Sequence, residues 1–151
     1  MGKAVFLKTN IDQANFSDGK VRGTIFIEAK GENLNFSGAD MYNSRILNES
    51  AMRDSDFTNT KAERACWMRS DLSGSDFRNS DMKRGLVEDC NLAGSDLSGV
   101  KAGQARLTKS DLSDANLQGV NMMFGSLRKS KLVRTDLRKA NLYGAEFYRT
   151  G

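Results

Sequence analysis

Histidine is absent from the 151 residues, which removes at once the commonest general base and the commonest metal ligand. Only two cysteines occur, Cys66 and Cys90, too few and too far apart for a disulfide framework or a CxxC motif. The expectation is two reduced thiols in a cytoplasmic protein. No stretch approaches the ~20 apolar residues of a membrane span, and the apolar run at the N-terminus is too short for a signal peptide. There is no Gly-rich phosphate loop, no nucleophile elbow and no metal-ligand spacing. The chain is therefore expected to be non-enzymatic and without cofactor or metal. At 38% hydrophobic it is poor in apolar residues, yet those it has are too regularly placed for a disordered polymer.

That regularity has a period of five. Apolar residues recur every fifth position from Met52 through Phe57, Trp67, Leu97 and Leu127 to Phe147, twenty centres without a break. An earlier set in a register shifted by one residue runs from Phe6 through Phe16, Phe26 and Phe36 to Ile46, with only Gly31 failing. Two residues before each centre the side chain is small in all but Leu34, Val100 and Val120. The residue just before the centre is Asp or Asn in 15 of the 29 units. Five matches neither a helical nor an alternating-strand period. It suits a solenoid of short straight edges, each sending a large and a small side chain inward before a corner. One observation points to four edges per coil: Val5-Phe6-Leu7 and Ile25-Phe26-Ile27 both carry apolar residues on each side of the centre and lie twenty residues apart.

A small residue, Asp or Asn, a large apolar residue and two variable positions, as in Ser95-Asp96-Leu97 or Ala140-Asn141-Leu142, resembles the motif of the pentapeptide repeat family. The resemblance covers residues 4 to 150. It implies an all-β fold, a right-handed quadrilateral parallel β-helix occupying residues 1–151 as a single domain. The 29 units make about seven coils, roughly 34 Å at ~4.8 Å per stacked strand.

Three departures from the pattern locate irregularities. Six residues instead of five separate Ile46 from Met52, so a one-residue register shift falls within 47–51 and reads as a bulged or enlarged corner. Gly31 stands at a centre while Leu34 stands at a small position, so Leu34 is expected to refill the space that Gly31 leaves. Trp67 follows the small centre Ala62 and is expected to pack in the core.

Once the coil is accepted, the outer surface follows. On one face Val5, Leu7, Ile25, Ile27, Leu47, Met68 and Leu86 point outward in register, an apolar patch large enough to mark an interaction surface. The last third of the chain is basic, with ten Lys or Arg against four Asp or Glu in residues 101–151. Arg128, Lys129, Lys131, Arg134, Arg138, Lys139 and Arg149 form a candidate phosphate-binding patch, with Phe124, Tyr143 and Tyr148 as stacking groups. A solvated surface is the favoured reading of that end, so nucleic acid is a disfavoured partner. A third column, Asp56, Asp76, Asp96, Asn116 and Asp136, could imitate a phosphate backbone. The resemblance implies this use, since quinolone-resistance members of the family bind DNA gyrase as mimics of duplex DNA, generally with an acidic surface and a C-terminal dimerisation segment. This chain departs on both counts, at net +4 and without a tail after the last unit.

The repeats also begin and end at the ends of the chain, so either the chain is a module of a longer protein or coils stack end to end between protomers. Three functional readings result. The preferred one is a cytoplasmic protein–protein interaction scaffold, binding a protein partner or forming a homo-oligomer, with no membrane or small-molecule substrate. The alternatives are a gyrase-binding protection protein and a repeat module of a secreted effector or secretion-apparatus protein.

Overall fold

The computed structural model describes residues 4–151, and among these there is no helix. Eight strands of three residues each are present: β1 (Val5–Leu7), β2 (Ile25–Ile27), β3 (Lys30–Glu32), β4 (Arg45–Leu47), β5 (Ala51–Arg53), β6 (Cys66–Met68), β7 (Leu86–Glu88) and β8 (Arg106–Thr108). All pairing is parallel. Six strands stack in the order β1-β2-β4-β6-β7-β8, and β3 pairs with β5 on the next face. Regular strand on the six-strand face thus spans five turns rather than the expected seven. Beyond β8 the ladder continues as single bridges, Arg106 with Ser126 and Ser126 with Glu146.

Four faces follow from the four edges of each coil. Face one holds the centres Phe6, Phe26, Ile46, Trp67, Val87, Leu107, Leu127 and Phe147. Face two holds Ile11, Gly31, Met52 and then leucines, face three Phe16, Phe36, Phe57, Phe77 and then leucines, and face four Val21, Met41, Ala62, Met82, Ala102, Met122 and Leu142.

The hydrogen bonds of one unit, Asp96 to Val100, explain the five-residue pattern. The N–H of Asp96 donates to Ser75 C=O in the coil before, and that of Leu97 to Asn116 C=O in the coil after. The N–H of Gly99 reaches Gln118 C=O, and Val100 N–H closes the corner onto Leu97 C=O. Only Ser98 N–H has no backbone acceptor, and the Asp96 side chain takes it at 2.8 Å. A filled solenoid has no room for unpaired backbone groups, so this side-chain acceptor meets a structural requirement. All fifteen Asp or Asn residues before a centre make the same bond to the N–H two residues on.

The corners have a requirement that sequence reading missed. At every unit the residue two after the centre has φ between about 49° and 68°, from Lys8 to Arg149. Where the next residue also donates back to the centre, as Val100 N–H does to Leu97 C=O, this is the geometry of a type II turn, while the corners that follow the eight strands, such as those at Lys8 and Arg69, lack that bond. Gly, Asn or Asp, which tolerate it best, hold 16 of the 29 corners. That enrichment was the available signal. The extra residue near 47–51 sits at a corner where Asn48 and Glu49 are both left-handed, and pairing steps from Arg45 to Cys66 across it, twenty-one residues where the other turns step by twenty.

Inside, the centres form continuous stacks. Phe16, Phe36, Phe57 and Phe77 lie ring over ring at 4.7, 5.0 and 4.8 Å between centroids, matching the coil spacing. Trp67 is fully buried, tilted between Phe57 and Phe77. Its small neighbour Ala62 is buried too, and on that face Met41, Met82 and Met122 alternate with Ala62 and Ala102, large against small. Leu34 does refill the space at Gly31: it is buried, and a Cβ on Gly31 would stand 2.9 Å from Leu34 Cδ2.

Candidate interaction surfaces

The strand register on face one places its outward side chains in two columns. Val5, Ile25, Arg45, Cys66, Leu86 and Arg106 lie in one, and Leu7, Ile27, Leu47, Met68, Glu88 and Thr108 in the other. Val5 and Leu7 are 56% and 57% exposed, while Ile25, Ile27, Leu47, Met68 and Leu86 are half-buried by their neighbours in the column. The apolar stretch ends at Glu88, whose carboxylate receives Lys109 Nζ at 2.6 Å and is held below the usual carboxylate range by it. Arg45, inside the apolar stretch, has no carboxylate within ion-pair reach among the described residues.

The basic C-terminal residues do not converge. Arg128 and Lys129 lie on face one and its corner, Lys131 and Arg134 on face two and its corner, Arg138 and Lys139 on face three and its corner. Four of the six are engaged by carboxylates of their own or a neighbouring coil: Arg128 by Glu146 at 3.9 Å, Lys131 by Asp111 at 3.0 Å, Arg134 by Asp114, and Arg138 by Asp136 at 2.6 Å. Such exposed, solvent-screened pairs contribute little stability, but they neutralise the surface. Tyr148 stays on face one, where Arg128 and Arg149 lie over its ring at 5.8 and 5.1 Å. Phe124 and Tyr143 belong to face four and its corner, apart from the basic residues expected beside them.

The carboxylate column on face three is in register, Asp56 bridging to Asp76, Asp76 to Asp96, Asp96 to Asn116 and Asn116 to Asp136. Its charge is partly cancelled. The Arg78 guanidinium forks onto Asp76 and that of Arg138 onto Asp136, which holds the Asp136 carboxyl down to about 2. Asp96 receives the Asn116 amide at 3.2 Å. Both cysteines are free, and burial pushes the Cys90 thiol up to about 12. Among the described residues no group of three His, Cys, Asp or Glu side chains could hold a metal ion, and no helix is long and apolar enough to cross a membrane.

A core filled by stacked side chains, walled by flat faces and turned at left-handed corners, defines a parallel β-helix of five-residue units. The family model for pentapeptide repeats matches eight copies over residues 9–46, 50–84, 88–123 and 126–150, and the chain belongs to the pentapeptide repeat family. Among solved structures, a trypsin-treated form of QnrB1, a plasmid-mediated fluoroquinolone resistance protein, superposes with a TM-score of 0.90 at 18% identity, covering 99% of this chain and 79% of that one. A second trypsin-treated form of QnrB1 gives 0.69 at 19% identity over 97% and 81% of the two chains. A pentapeptide repeat protein from the Arabidopsis thaliana thylakoid lumen is 21% identical over 67% of this chain and 63% of that one, with a TM-score of 0.49. At these identities the likeness is one of fold. No curated protein sequence matches the chain.

Proposed function

We propose that the protein is a non-enzymatic scaffold that acts in the cytoplasm and holds a protein partner against the apolar half of face one. The observation that carries this reading is the strand register, which puts Val5, Leu7, Ile25, Ile27, Leu47, Met68 and Leu86 into two adjacent columns on one flat wall. A hydrogen-bonded wall of this kind is already ordered, so a partner meets it without an ordering cost in its backbone. Arg45 in the middle of the apolar columns is the type of residue on which binding energy concentrates. Both thiols being free suits a reducing compartment.

The substitution Ile27→Asp places a charge in the centre of the patch while leaving the inward side chains untouched. The tagged protein and this variant are compared for self-association by sedimentation and for partner capture from host extract. Loss of the captured or self-associated species in the variant alone, with an unchanged circular dichroism spectrum, supports the reading. Identical behaviour of the two proteins overturns it. The gyrase reading rests on the face-three column, where Arg78 and Arg138 already occupy two of the four carboxylates. Inhibition of supercoiling that is lost in a paired Asp56→Asn, Asp96→Asn variant would move the working surface to face three.

A further inference from the structure

Phe124 breaks a rule that the other corners keep. At every other corner the left-handed residue is glycine or polar; at Phe124 it is an aromatic with φ 55° that is 57% exposed. A bulky side chain in this conformation is strained, and an exposed ring returns little through burial, so the residue is a departure that stability does not explain. The neighbouring coil accommodates it: a Cβ at Gly144, the next corner in the column, would lie 2.5 Å from Phe124 Cδ1. Tyr143, 68% exposed, meets Phe124 edge to face with centroids 5.4 Å apart. Two rings therefore stand together in solvent at the C-terminal end of face four.

The wall beside them is cationic. Gly103 has no side chain, and the groove it leaves is lined by Glu63, Lys83, Arg84, Gln104, Met123 and Phe124. Lys61 and Lys101 share one column of the same face, separated only by Asp81, and neither has a carboxylate partner among the described residues. Arg84 Nε donates to Gln104 at 3.1 Å, not to an acid. The acids of this face are engaged, Asp40 by Arg22 at 3.2 Å, Asp81 by Lys83 at 3.2 Å and Glu63 by Arg64 at 3.9 Å. Unlike Arg128, Lys131, Arg134 and Arg138, these cations are not neutralised by paired carboxylates.

We propose that this end of face four binds single-stranded nucleic acid, one base stacking on the Phe124–Tyr143 pair while Arg84, Lys101 and Lys61 take phosphates. Stacking groups backed by free cations are what an unpaired strand requires, and every base offers a π-face, so sequence preference is weak. A duplex keeps its bases stacked on one another and gains only the phosphate contacts, so it binds less tightly. The site is separate from the apolar columns of face one and does not depend on them.

The test is fluorescence anisotropy with labelled dT and U oligonucleotides of about 20 nucleotides, and a duplex of the same length, at several salt concentrations. Wild-type protein binds the single strands more tightly than the duplex, and binding weakens steeply with salt. Phe124→Gly loses about tenfold in affinity yet melts no lower than wild type, because glycine suits a left-handed corner, and Phe124→Trp retains binding. Lys101→Glu lowers affinity and flattens the salt dependence. The proposal is overturned by absence of binding, by equal affinity for the duplex, or by an affinity that neither Phe124→Gly nor Lys101→Glu changes. An aromatic pair serving a protein partner instead would show the first of these results.

Discussion

Replacing Phe57 by alanine removes one of the two inner rings of the four-ring stack on face three. Phe57 is fully buried, with Phe36 at 5.0 Å on one side and Phe77 at 4.8 Å on the other, and Trp67 tilted against it at 5.7 Å. A buried Phe→Ala change costs about 3–5 kcal/mol, and the upper end applies where surroundings cannot collapse into the cavity. Here they cannot, because the rings above and below are attached to coils whose spacing is set by backbone hydrogen bonds such as Phe57 N–H to Asp76 C=O at 2.7 Å. Phe57→Leu keeps most of the volume and loses two stacked pairs at about 0.5–1.5 kcal/mol each, giving a cost of about 1–3 kcal/mol. Urea unfolding followed by far-ultraviolet circular dichroism measures both. Because stability in a solenoid is a sum over neighbouring coils, amide exchange in Phe57→Ala should quicken around Phe36, Phe57 and Phe77 and stay slow in the coil that holds Leu107, Leu112 and Leu117. A cost for Phe57→Ala below about 2 kcal/mol, or equal costs for the two variants, would refute the rigid-stack argument.

Gly31→Ala should destabilise by about 1–3 kcal/mol, since the new Cβ would stand 2.9 Å from Leu34 Cδ2 and 3.0 Å from the Ile11 backbone; adding Leu34→Ala should recover part of that cost, and a strictly additive double variant would count against the exchange of space between the two positions. Asp136 has a folded-state pKa of about 2 because Arg138 forks onto it, below the ordinary ~3.9 of an unfolded chain, so its stabilising contribution is complete above about pH 4 and is lost as pH falls through about 2. Carboxyl NMR titration should show that low midpoint and an upward move in Arg138→Ala, whereas a wild-type midpoint near 4 would contradict the pairing. Burial raises the thiol pKa of Cys90 to about 12 and that of Cys66 more modestly, so a thiol reagent at mildly alkaline pH should label Cys66 first and Cys90 only on unfolding. Equal labelling rates in the folded protein would show that Cys90 is not enclosed.

The amino-acid sequence by itself determined the architecture, and the reason is that every unit is built from neighbours. A five-residue period carries one inward apolar residue, one small residue and one Asp or Asn whose side chain satisfies the backbone N–H two positions on, all local requirements written in order along the chain. For the same reason the departures at Gly31, at Trp67 and at the extra residue after Ile46 were legible, and so was the alignment of Val5 through Leu86, which needs only the coil length. What tertiary structure decided is which residues of different coils neutralise or reinforce one another. Lys131 and Asp111, Arg134 and Asp114, or Arg128 and Glu146 are twenty or eighteen residues apart, and their pairing depends on side-chain reach across stacked coils. Arg128, Lys131, Arg134 and Arg138 of the basic C-terminal third thus became ion pairs spread over three faces, while Lys61, Arg84 and Lys101 came to share a face with Phe124 and Tyr143. The left-handed corner lies between the two cases. Its preference for Gly, Asn and Asp is visible along the chain, but the strain that singles out Phe124 exists only once the backbone is closed into a coil.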